Sequence, residues 1–171
     1  MLQGEQVYLR SIEPTDVDVI LRWENNQDNW RVSSTLVPFS RKIIEDYVNS
    51  AQDLFGVKQA RFVICLQENA QPIGTIDLFE FDPYHQRAGV GILVNSTKYR
   101  GQGHASEALK LLIEYTRDRL KMHQLFCSII ASNEPSIHLF EKAGFVKTGE
   151  RKDWLNFGNE WEDELFYQLI F

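Results

Sequence analysis

The sequence lacks any apolar run long enough to span a bilayer, and its first six residues have neither the basic nor the apolar region of a signal peptide. We therefore expect a cytoplasmic protein with no membrane partner. Basic residues are not in excess, with 18 Lys and Arg against 24 Asp and Glu. A net charge of −6 argues against the basic surface that nucleic-acid binding needs, so no nucleic-acid partner is expected.

Cysteine is also scarce. Cys65 and Cys127 each lie in an apolar, strand-like run, where a reduced thiol behaves as a small hydrophobic group, so we expect no disulfide. No repeat, linker or low-complexity run divides the 171 residues. This length suits one domain, residues 1–171, with a substantial core.

The apolar patterns predict a mixed α/β fold. Strands are predicted over residues 7–10, 61–66, 73–81, 86–94 and 124–131, followed by a closing hairpin over 147–171. Helices are predicted to begin near Pro14, Ser40, Gly103 and Asn133. Residues 25–38 are expected to break the first helix and to be irregular. Because a helix separates strands 86–94 and 124–131, these two strands should be parallel with a right-handed crossover.

A glycine-rich turn joins a strand to a helix at residues 99–108. At such a junction the first N–H groups of the helix have no intrahelical partner and the helix dipole adds positive charge, so an anion can bind. Gly101 and Gly103 let the backbone approach a pyrophosphate, and Arg100 adds a permanent charge. Taken alone, these residues fit an anion site and an incidental helix start equally well.

Two other phosphate motifs and one metal motif are incomplete. A P-loop needs Gly-Lys followed by Ser or Thr, but Gly103 is followed by His104. A dinucleotide-binding fold needs a third glycine where Ser106 stands. Glu134 and His138 lack the second histidine of an H-E-x-x-H zinc site, so we expect no metal site.

Two blocks of the sequence resemble the GNAT superfamily of N-acetyltransferases. The family's acyl-CoA signature is Arg or Gln, two residues, Gly, one residue, then Gly or Ala, and its defined positions are occupied by Arg100, Gly103 and Ala105. A second family pattern, from an Asn to a Gly-Phe pair, matches residues 133–145. The resemblance covers nearly the full chain. The branch that holds spermidine acetyltransferases and acetylases of ribosomal-protein N-termini is most similar over residues 9–10, 74–88 and 158–163.

The resemblance implies a mixed, mostly antiparallel sheet of about seven strands, flanked by about four helices, with a parallel central pair splayed to admit CoA. Acetyl-CoA would be the co-substrate. A backbone N–H near Leu93 or Val94 would polarise the thioester carbonyl, and Asn133 would hold the pantetheine arm or the start of its own helix. The pyrophosphate would bind at Arg100, Gly101, Gln102, Gly103, His104 and Ala105.

The sequence departs from the family at Phe140. Many members have a tyrosine there that protonates the departing CoA thiolate, whereas Phe140 would contact CoA without donating a proton. Because a thiol has a pKa near about 8.5, an unprotonated leaving group costs only roughly 2 kcal/mol at pH 7. Water, Ser136 or another tyrosine could take over this role. The alternative is a GNAT-fold module that binds acyl-CoA with little transfer.

An attacking amine must first lose a proton, which costs roughly 4–5 kcal/mol at pH 7 for a pKa of about 10.4. Glu80 and Asp77 lie on the strand that borders the acceptor site in the family, and Glu80 is our first choice of base. In a regular strand the two cannot face the same way, and the ordinary account of Glu80 is a solvated side chain. His85 is another candidate, since a pKa near about 6.5 suits proton relay, or else a surface histidine.

The acceptor is expected to be a small amine or a peptide N-terminus, and self-association into a homo-oligomer is left open. Attack would be direct, in a ternary complex, because Cys127 has no visible activating histidine and acid. A polyamine could bind the carboxylates of the first helix end and the closing hairpin, although a solvated acidic edge is the more ordinary account. These carboxylates are Glu24, Asp28, Glu160, Glu162, Asp163 and Glu164.

Overall fold

The computed structural model describes residues 1–33, 35–50 and 53–171. Ser34, in the segment predicted to be irregular, lies outside the described residues. The strands are β1 (Leu2–Gln3), β2 (Val7–Ser11), β3 (Ala60–Leu66), β4 (Pro72–Asp82), β5 (Arg87–Val94), β6 (Gln124–Ile130), β7 (Val146–Asn156) and β8 (Trp161–Ile170). The α-helices are α1 (Val17–Glu24), α2 (Gln27–Ser33), α3 (Arg41–Ser50), α4 (His104–Asp118) and α5 (Glu134–Lys142). Two 3-10 turns cover Pro14–Asp16 and Thr97–Tyr99.

All eight strands of the described chain form one sheet in the order β1-β2-β3-β4-β5-β6-β8-β7. Neighbouring strands are antiparallel except for β5 and β6, which are parallel as predicted. The predicted fold class is therefore confirmed. The strand count differs slightly because β1 pairs with β2 through only two residues and leaves no apolar pattern.

Helix α2 corrects the prediction that residues 25–38 are irregular, and it gives the described chain a fifth α-helix. Its sequence is polar and has no helical apolar stripe, so periodicity could not reveal it. The side chain of Asn25, just after α1, makes two hydrogen bonds to the backbone of Phe39, just before α3. It accepts from the Phe39 N–H at 2.7 Å and donates to the Phe39 carbonyl at 2.9 Å. Asn26 accepts from the N–H of Asp28 at 3.1 Å, at the start of the helix.

The predicted starts of α3 and α5 are confirmed by their side-chain hydrogen bonds. Ser40 accepts from the Ile43 N–H at 3.3 Å, and Asn133 accepts from the Ser136 N–H at 3.3 Å. Both bonds satisfy an N–H group that has no partner within its helix. Helix α5 then ends before Gly144, whose φ of +95° is the left-handed conformation that glycine adopts freely.

The two faces of the sheet are covered differently. On one face α4 and α5 bury a large core that includes Leu109, Leu112 and Phe140. On the other face α1 and α3 cover β2 and β3 through residues such as Ile20 and Ile44. Strands β4, β6 and β8 carry three half-buried side chains on this second face, at Phe79, Phe126 and Phe166.

Cys65 and Cys127 are both free and buried, which agrees with the expectation of no disulfide. In the described part of the chain, no helix has the length and apolar character to cross a membrane.

Candidate active site

Strands β5 and β6 form an open wedge. They pair at only three positions, Arg87 with Gln124, Ala88 with Leu125 and Gly89 with Phe126. Both strands are described throughout, and they share no pairing beyond these positions, although β5 continues to Val94 and β6 to Ile130. This is the splayed parallel pair that the resemblance implied. We call the space between residues 90–94 and 127–130 the wedge.

The pairing of β5 with β4 decides which backbone groups face the wedge. Just past the end of β5, the Asn95 N–H donates to the Ile73 carbonyl at 3.0 Å, on the β4 side. Because successive residues of a strand direct their N–H and C=O groups to opposite edges, Leu93 also faces β4. Ile92 and Val94 therefore direct theirs to the wedge. Of the two predicted oxyanion donors, Leu93 and Val94, only the second has its N–H on the wedge side.

The glycine-rich turn has the backbone conformation that the predicted anion site requires. Gly101 has a φ of +72° and Gly103 a φ of +90°, which side-chain-bearing residues rarely adopt. Among the described residues, no side chain caps the start of α4, so its first N–H groups are left for another acceptor. The predicted N–H donors of the turn therefore fit a pyrophosphate, with the positive end of the α4 dipole behind them.

The guanidinium of Arg100 points to the end of β5. Its Nε donates to the Val94 carbonyl at 3.0 Å and its Nη2 donates to Asn29 Oδ1 at 3.2 Å. The amide of Asn29 in turn donates to Asn95 Oδ1 at 2.8 Å. The predicted contact of Arg100 with pyrophosphate stays a prediction, but two of its donors already have partners in the protein.

The side chain of His104 also stabilises the turn. The imidazole is buried and its Nδ1 lies 3.2 Å from the Tyr99 carbonyl oxygen. Gln102 donates from its side chain to the Lys98 carbonyl. Both side chains thus bind the preceding 3-10 turn, while their backbones remain in the predicted anion site.

Glu107, in the first turn of α4, holds this helix against the start of β2. Its carboxylate accepts from three backbone N–H groups, those of Glu5, Gln6 and Val7, at 2.5, 3.0 and 3.1 Å. Sequence reasoning missed this residue because its partners lie about 100 positions away along the chain. The contact fixes where the start of α4, and with it the predicted anion site, lies relative to the sheet.

Asn133 and Phe140 lie at the two ends of α5. Of the two roles predicted for Asn133, its hydrogen bond to the Ser136 N–H supports the start of the helix. Phe140 is buried and packs edge-on against Phe145, with ring centroids 5.0 Å apart. Tyr167 is a poor replacement for the missing tyrosine, because it is buried and its hydroxyl donates to Glu141 at 3.1 Å. Burial also raises the pKa of Tyr167.

The predicted bases Asp77 and Glu80 lie apart. Asp77 is opposite Gly91 of β5, whereas Glu80 lies at a bulge of β4, exposed and with a φ of +48°. The bulge is level with the paired end of β5, so Glu80 lies roughly 20 Å along the sheet from Val94. Asp77 lies about half as far away.

His85 lies in the exposed turn between β4 and β5, next to this bulge. Its backbone N–H donates to Asp82 at 2.9 Å, and its ring meets Tyr84 edge-on. The structure therefore does not bring the three predicted catalytic side chains together.

Asp77 belongs to a charged cluster on the second face of the sheet. Arg61 binds both of its carboxylate oxygens, at 2.7 and 3.1 Å, and also Glu24 at 2.6 Å. The guanidinium lies over the ring of Tyr47, 5.1 Å from its centroid. Burial raises the pKa of Asp77 and outweighs the lowering effect of Arg61. Two carboxylates thus share one guanidinium, which leaves one net negative charge.

Most acids of the closing hairpin are bound to the protein's own cations. Glu162 pairs with Arg31, and the other ion pairs are Glu164 with Arg151 at 2.6 Å and Asp163 with Lys152 at 2.8 Å. A polyamine would have to compete with these side chains. The hairpin therefore gives less support to a polyamine site than its composition suggested.

An aromatic row lies beside the wedge on the second face of the sheet. Phe126 contacts Phe79 edge-on, with centroids 5.9 Å apart, and stacks on Phe166 at 5.6 Å. The ring of Phe79 covers Gly89, where an added Cβ would lie 2.3 Å from it. A side chain at this position would displace the ring from the closed end of the wedge.

A model of the GNAT acetyltransferase domain matches residues 6–146 of the chain. The chain belongs to the GNAT acetyltransferase family. The predicted identity, an N-acetyltransferase with acetyl-CoA as its co-substrate, is thus confirmed. In the described residues, no group of three or more His, Cys, Asp or Glu side chains is placed to hold a metal ion.

The relatives agree with the predicted branch. Over 155 residues the chain is 28% identical to spermidine N(1)-acetyltransferase of Escherichia coli (strain K12), covering 88% of this chain and 78% of the relative. It is 23% identical over 175 residues to YdaF of Bacillus subtilis (strain 168), assigned as a ribosomal N-acetyltransferase, covering 98% and 92%. The crystal structure of Vibrio cholerae spermidine N-acetyltransferase with CoA and spermine is similar in fold, with a TM-score of 0.88, 22% identity and coverage of 98% and 96%.

Proposed function

We propose that the protein transfers the acetyl group of acetyl-CoA to a primary amine by direct attack in a ternary complex. The wedge carries this proposal, because it sets the free backbone edge of residues 90–94 beside the uncapped start of α4. Bound acetyl-CoA supplies an acetyl group activated as a thioester. The proposed acceptor is a polyamine or a protein N-terminus.

The proposed cofactor contacts follow from the direction of the backbone groups. The N–H groups of residues 101–105 hold the pyrophosphate, and the edge of β5 binds the pantetheine amides. The N–H of Val94 donates to the thioester carbonyl and stabilises the negative charge that develops on its oxygen during attack. Removal of one such donor from an enzyme typically costs about 10²–10³ in kcat.

The cluster of Asp77, Glu24 and Arg61 is the proposed site of the acceptor amine. Its net negative charge attracts one ammonium group, and Asp77 or a water bound to it takes the proton. The amine lone pair then forms the N–C bond to the acetyl carbonyl carbon while the C–S bond breaks. The bonding electrons leave with the sulfur, the new amide nitrogen releases its second proton to water, and water delivers a proton to the thiolate directly or through the hydroxyl of Ser136, which regains its own proton from water.

A covalent acyl-enzyme is not part of this proposal. Cys127 is 1% exposed, and burial raises its pKa to about 12, so its thiol stays protonated at neutral pH. A protonated, buried thiol is a poor nucleophile.

Between the two acceptor classes, the ion pairs favour a protein N-terminus. A polyamine carries several ammonium groups, whereas the cluster leaves one negative charge and the hairpin acids are occupied. A protein N-terminus presents one amine, and its following side chains can lie on the aromatic row. A cytoplasmic location and a homo-oligomer stay predictions.

Thiol release tests the proposed transfer reaction against the alternative that Phe140 raised from the sequence, a module that binds acyl-CoA with little transfer. The protein is incubated with acetyl-CoA and a panel of polyamines, peptides and aminoglycosides. Amine-dependent release of CoA with acetylation of the amine supports the enzyme. Tight CoA binding with no release for any amine supports the module.

A further inference from the structure

The open end of the wedge is bridged by α2. We propose that α2 is a brace that fixes the width of the wedge, and that Asn29 and Arg31 are positioning residues for acetyl transfer. This inference rests on the proposed function, because the wedge is where we place the thioester. The proposal assigns a role to Asn29 and Arg31, which no sequence pattern indicated, and so to the polar segment before Ser34.

On the β5 side, α2 is held by a buried amide pair. Asn29 is 2% exposed and donates from Nδ2 to Asn95 Oδ1 at 2.8 Å, directly after the last residue of β5. Its Oδ1 accepts from Arg100 Nη2 at 3.2 Å, and Arg100 Nε donates to the Val94 carbonyl at 3.0 Å. Buried amides keep one arrangement because a lost partner leaves an unsatisfied polar group. One hydrogen-bond network therefore joins α2 to the end of β5.

On the opposite side, α2 is held by Arg31. Its guanidinium pairs with Glu162 of β8 and lies 4.4 Å from the ring centroid of Phe157. The Glu162 side chain is only 15% exposed, and it also accepts from the hydroxyl of Ser132, two residues beyond β6. Glu162 thus joins α2 to the far arm of the wedge.

These contacts form a continuous connection from the end of β5 to the end of β6. It runs from Val94 and Asn95 through α2 to Glu162 and Ser132. The arms of the wedge share no backbone pairs there, in strands that the structure describes in full, so side chains must fix their separation. A reacting group misplaced by about 1 Å can lose about 10²-fold in rate. A brace of this kind acts on placement of the thioester more than on affinity for CoA.

The ordinary account is that the Arg31–Glu162 pair is a surface ion pair worth little. A charge swap distinguishes the two accounts. Arg31→Glu and Glu162→Arg each place like charges together, and the double variant restores an opposite pair. Arg41→Glu is the matched control, since it breaks the exposed Arg41–Asp18 pair at the start of α3 with the same change in charge.

The expected result is a split between rate and binding. Each single variant lowers kcat for acetyl transfer roughly 10- to 100-fold, while the Kd for CoA stays within about 2-fold. The double variant recovers most of kcat, and Arg41→Glu retains it. Unchanged kcat in both single variants, or a double variant that is folded but no better than the singles, overturns the brace. If the charge reversals prevent folding, Arg31→Gln and Asn29→Ala replace the single variants: each is expected to lower kcat at an unchanged Kd for CoA, and unchanged kcat in both overturns the brace.

A second readout does not depend on catalysis. Amide hydrogen exchange in peptides covering residues 90–95 and 127–132 of the CoA-free protein is expected to accelerate roughly tenfold in each single variant and to recover in the double variant. Equal exchange in all proteins overturns the brace. A wild-type protein that acetylates no amine contradicts the proposed function alone, because exchange still measures how α2 holds the two arms.

Discussion

The carbonyl oxygen of Val94 accepts a hydrogen bond of 3.0 Å from Nε of Arg100. This bond joins the first residue of the acyl-CoA signature to the strand that borders the wedge. Arg100, which the sequence predicts to bind phosphate, thus also holds the end of β5, where the proposed N–H donor to the thioester lies.

Truncated acyl donors separate the two roles of Arg100. We expect Arg100→Gln to lower kcat/KM roughly tenfold for both acetyl-CoA and acetyl-pantetheine, because it loosens the end of β5 beneath either thioester. Lys98→Gln, which removes an exposed neighbouring cation, is the control. Acetyl-pantetheine has no pyrophosphate, so a loss confined to acetyl-CoA would mean that Arg100 acts as a phosphate ligand.

Gly103 is expected to be essential to the anion site because its φ is +90°. Alanine in this conformation costs roughly 1–2 kcal/mol, so Gly103→Ala should weaken CoA binding about tenfold. Gly144→Ala is the matched control: its φ is +95°, but it lies at the end of α5. Isothermal titration with CoA measures both. Equal CoA affinity in the two variants would show that the shape of the turn does not matter for binding.

Asp77 and Glu80 are the two predicted bases on β4, and their positions predict different effects. Asp77→Asn should lower kcat/KM for the amine by about 10²-fold or more, with the Kd for CoA unchanged, because it removes the net charge of the cluster and a proton acceptor. Glu80→Gln should remain within about 2-fold, since its exposed side chain is roughly 20 Å from Val94. Steady-state kinetics over the amine concentration decide between them. A larger loss of kcat/KM in Glu80→Gln than in Asp77→Asn would mean that Glu80 is the base.

Asp16 is expected to contribute stability that acid removes. Burial raises the pKa of this carboxyl, but hydrogen bonds from Arg10 and from the Glu13 N–H outweigh burial, so the pKa is lowered. A carboxyl with a lowered folded pKa stabilises the fold above its unfolded pKa of about 3.9 and loses this contribution as the pH falls through the folded value.

Asp16→Asn should therefore cost roughly 1.5–3 kcal/mol of unfolding free energy at pH 7 and clearly less near pH 2. Urea unfolding at both values measures the difference. Asp18→Asn, at an exposed carboxylate of the same segment, is the control with little effect expected at either pH. If Asp16→Asn loses the same free energy of unfolding at pH 7 and near pH 2, Asp16 stabilises the fold by packing and not by its charge.

Local signals in the sequence were enough to predict the central strand-turn-helix unit. Gly101, Gly103, Asn133 and Gly144 each stand where a cap or a left-handed turn is required, and such signals act over a few residues. Alternating apolar residues likewise predicted β3, β4 and β8. The parallel pairing of β5 and β6 followed from the helix between them.

Long-range polar contacts could not be predicted in the same way. Asn29 meets Asn95 across 66 residues, and Arg61 is shared by Asp77 and Glu24 only because of the β3–β4 register and the position of α1. Helix α2 is stabilised by such contacts and not by an apolar stripe, so its sequence resembled a loop. The bulge at Glu80 shifts the register of β4 against β5, and the regular alternation of residues along this strand did not indicate it.

Residue-resolved amide exchange by NMR can show whether acetyl-CoA binds in the wedge along the edge of β5. Val94 directs its N–H to the wedge, whereas the Leu93 N–H already faces β4. We predict that saturating CoA slows exchange at Val94 at least about tenfold and changes Leu93 little. Exchange at Val94 that stays the same in the presence of bound CoA would mean that CoA does not bind along the edge of β5.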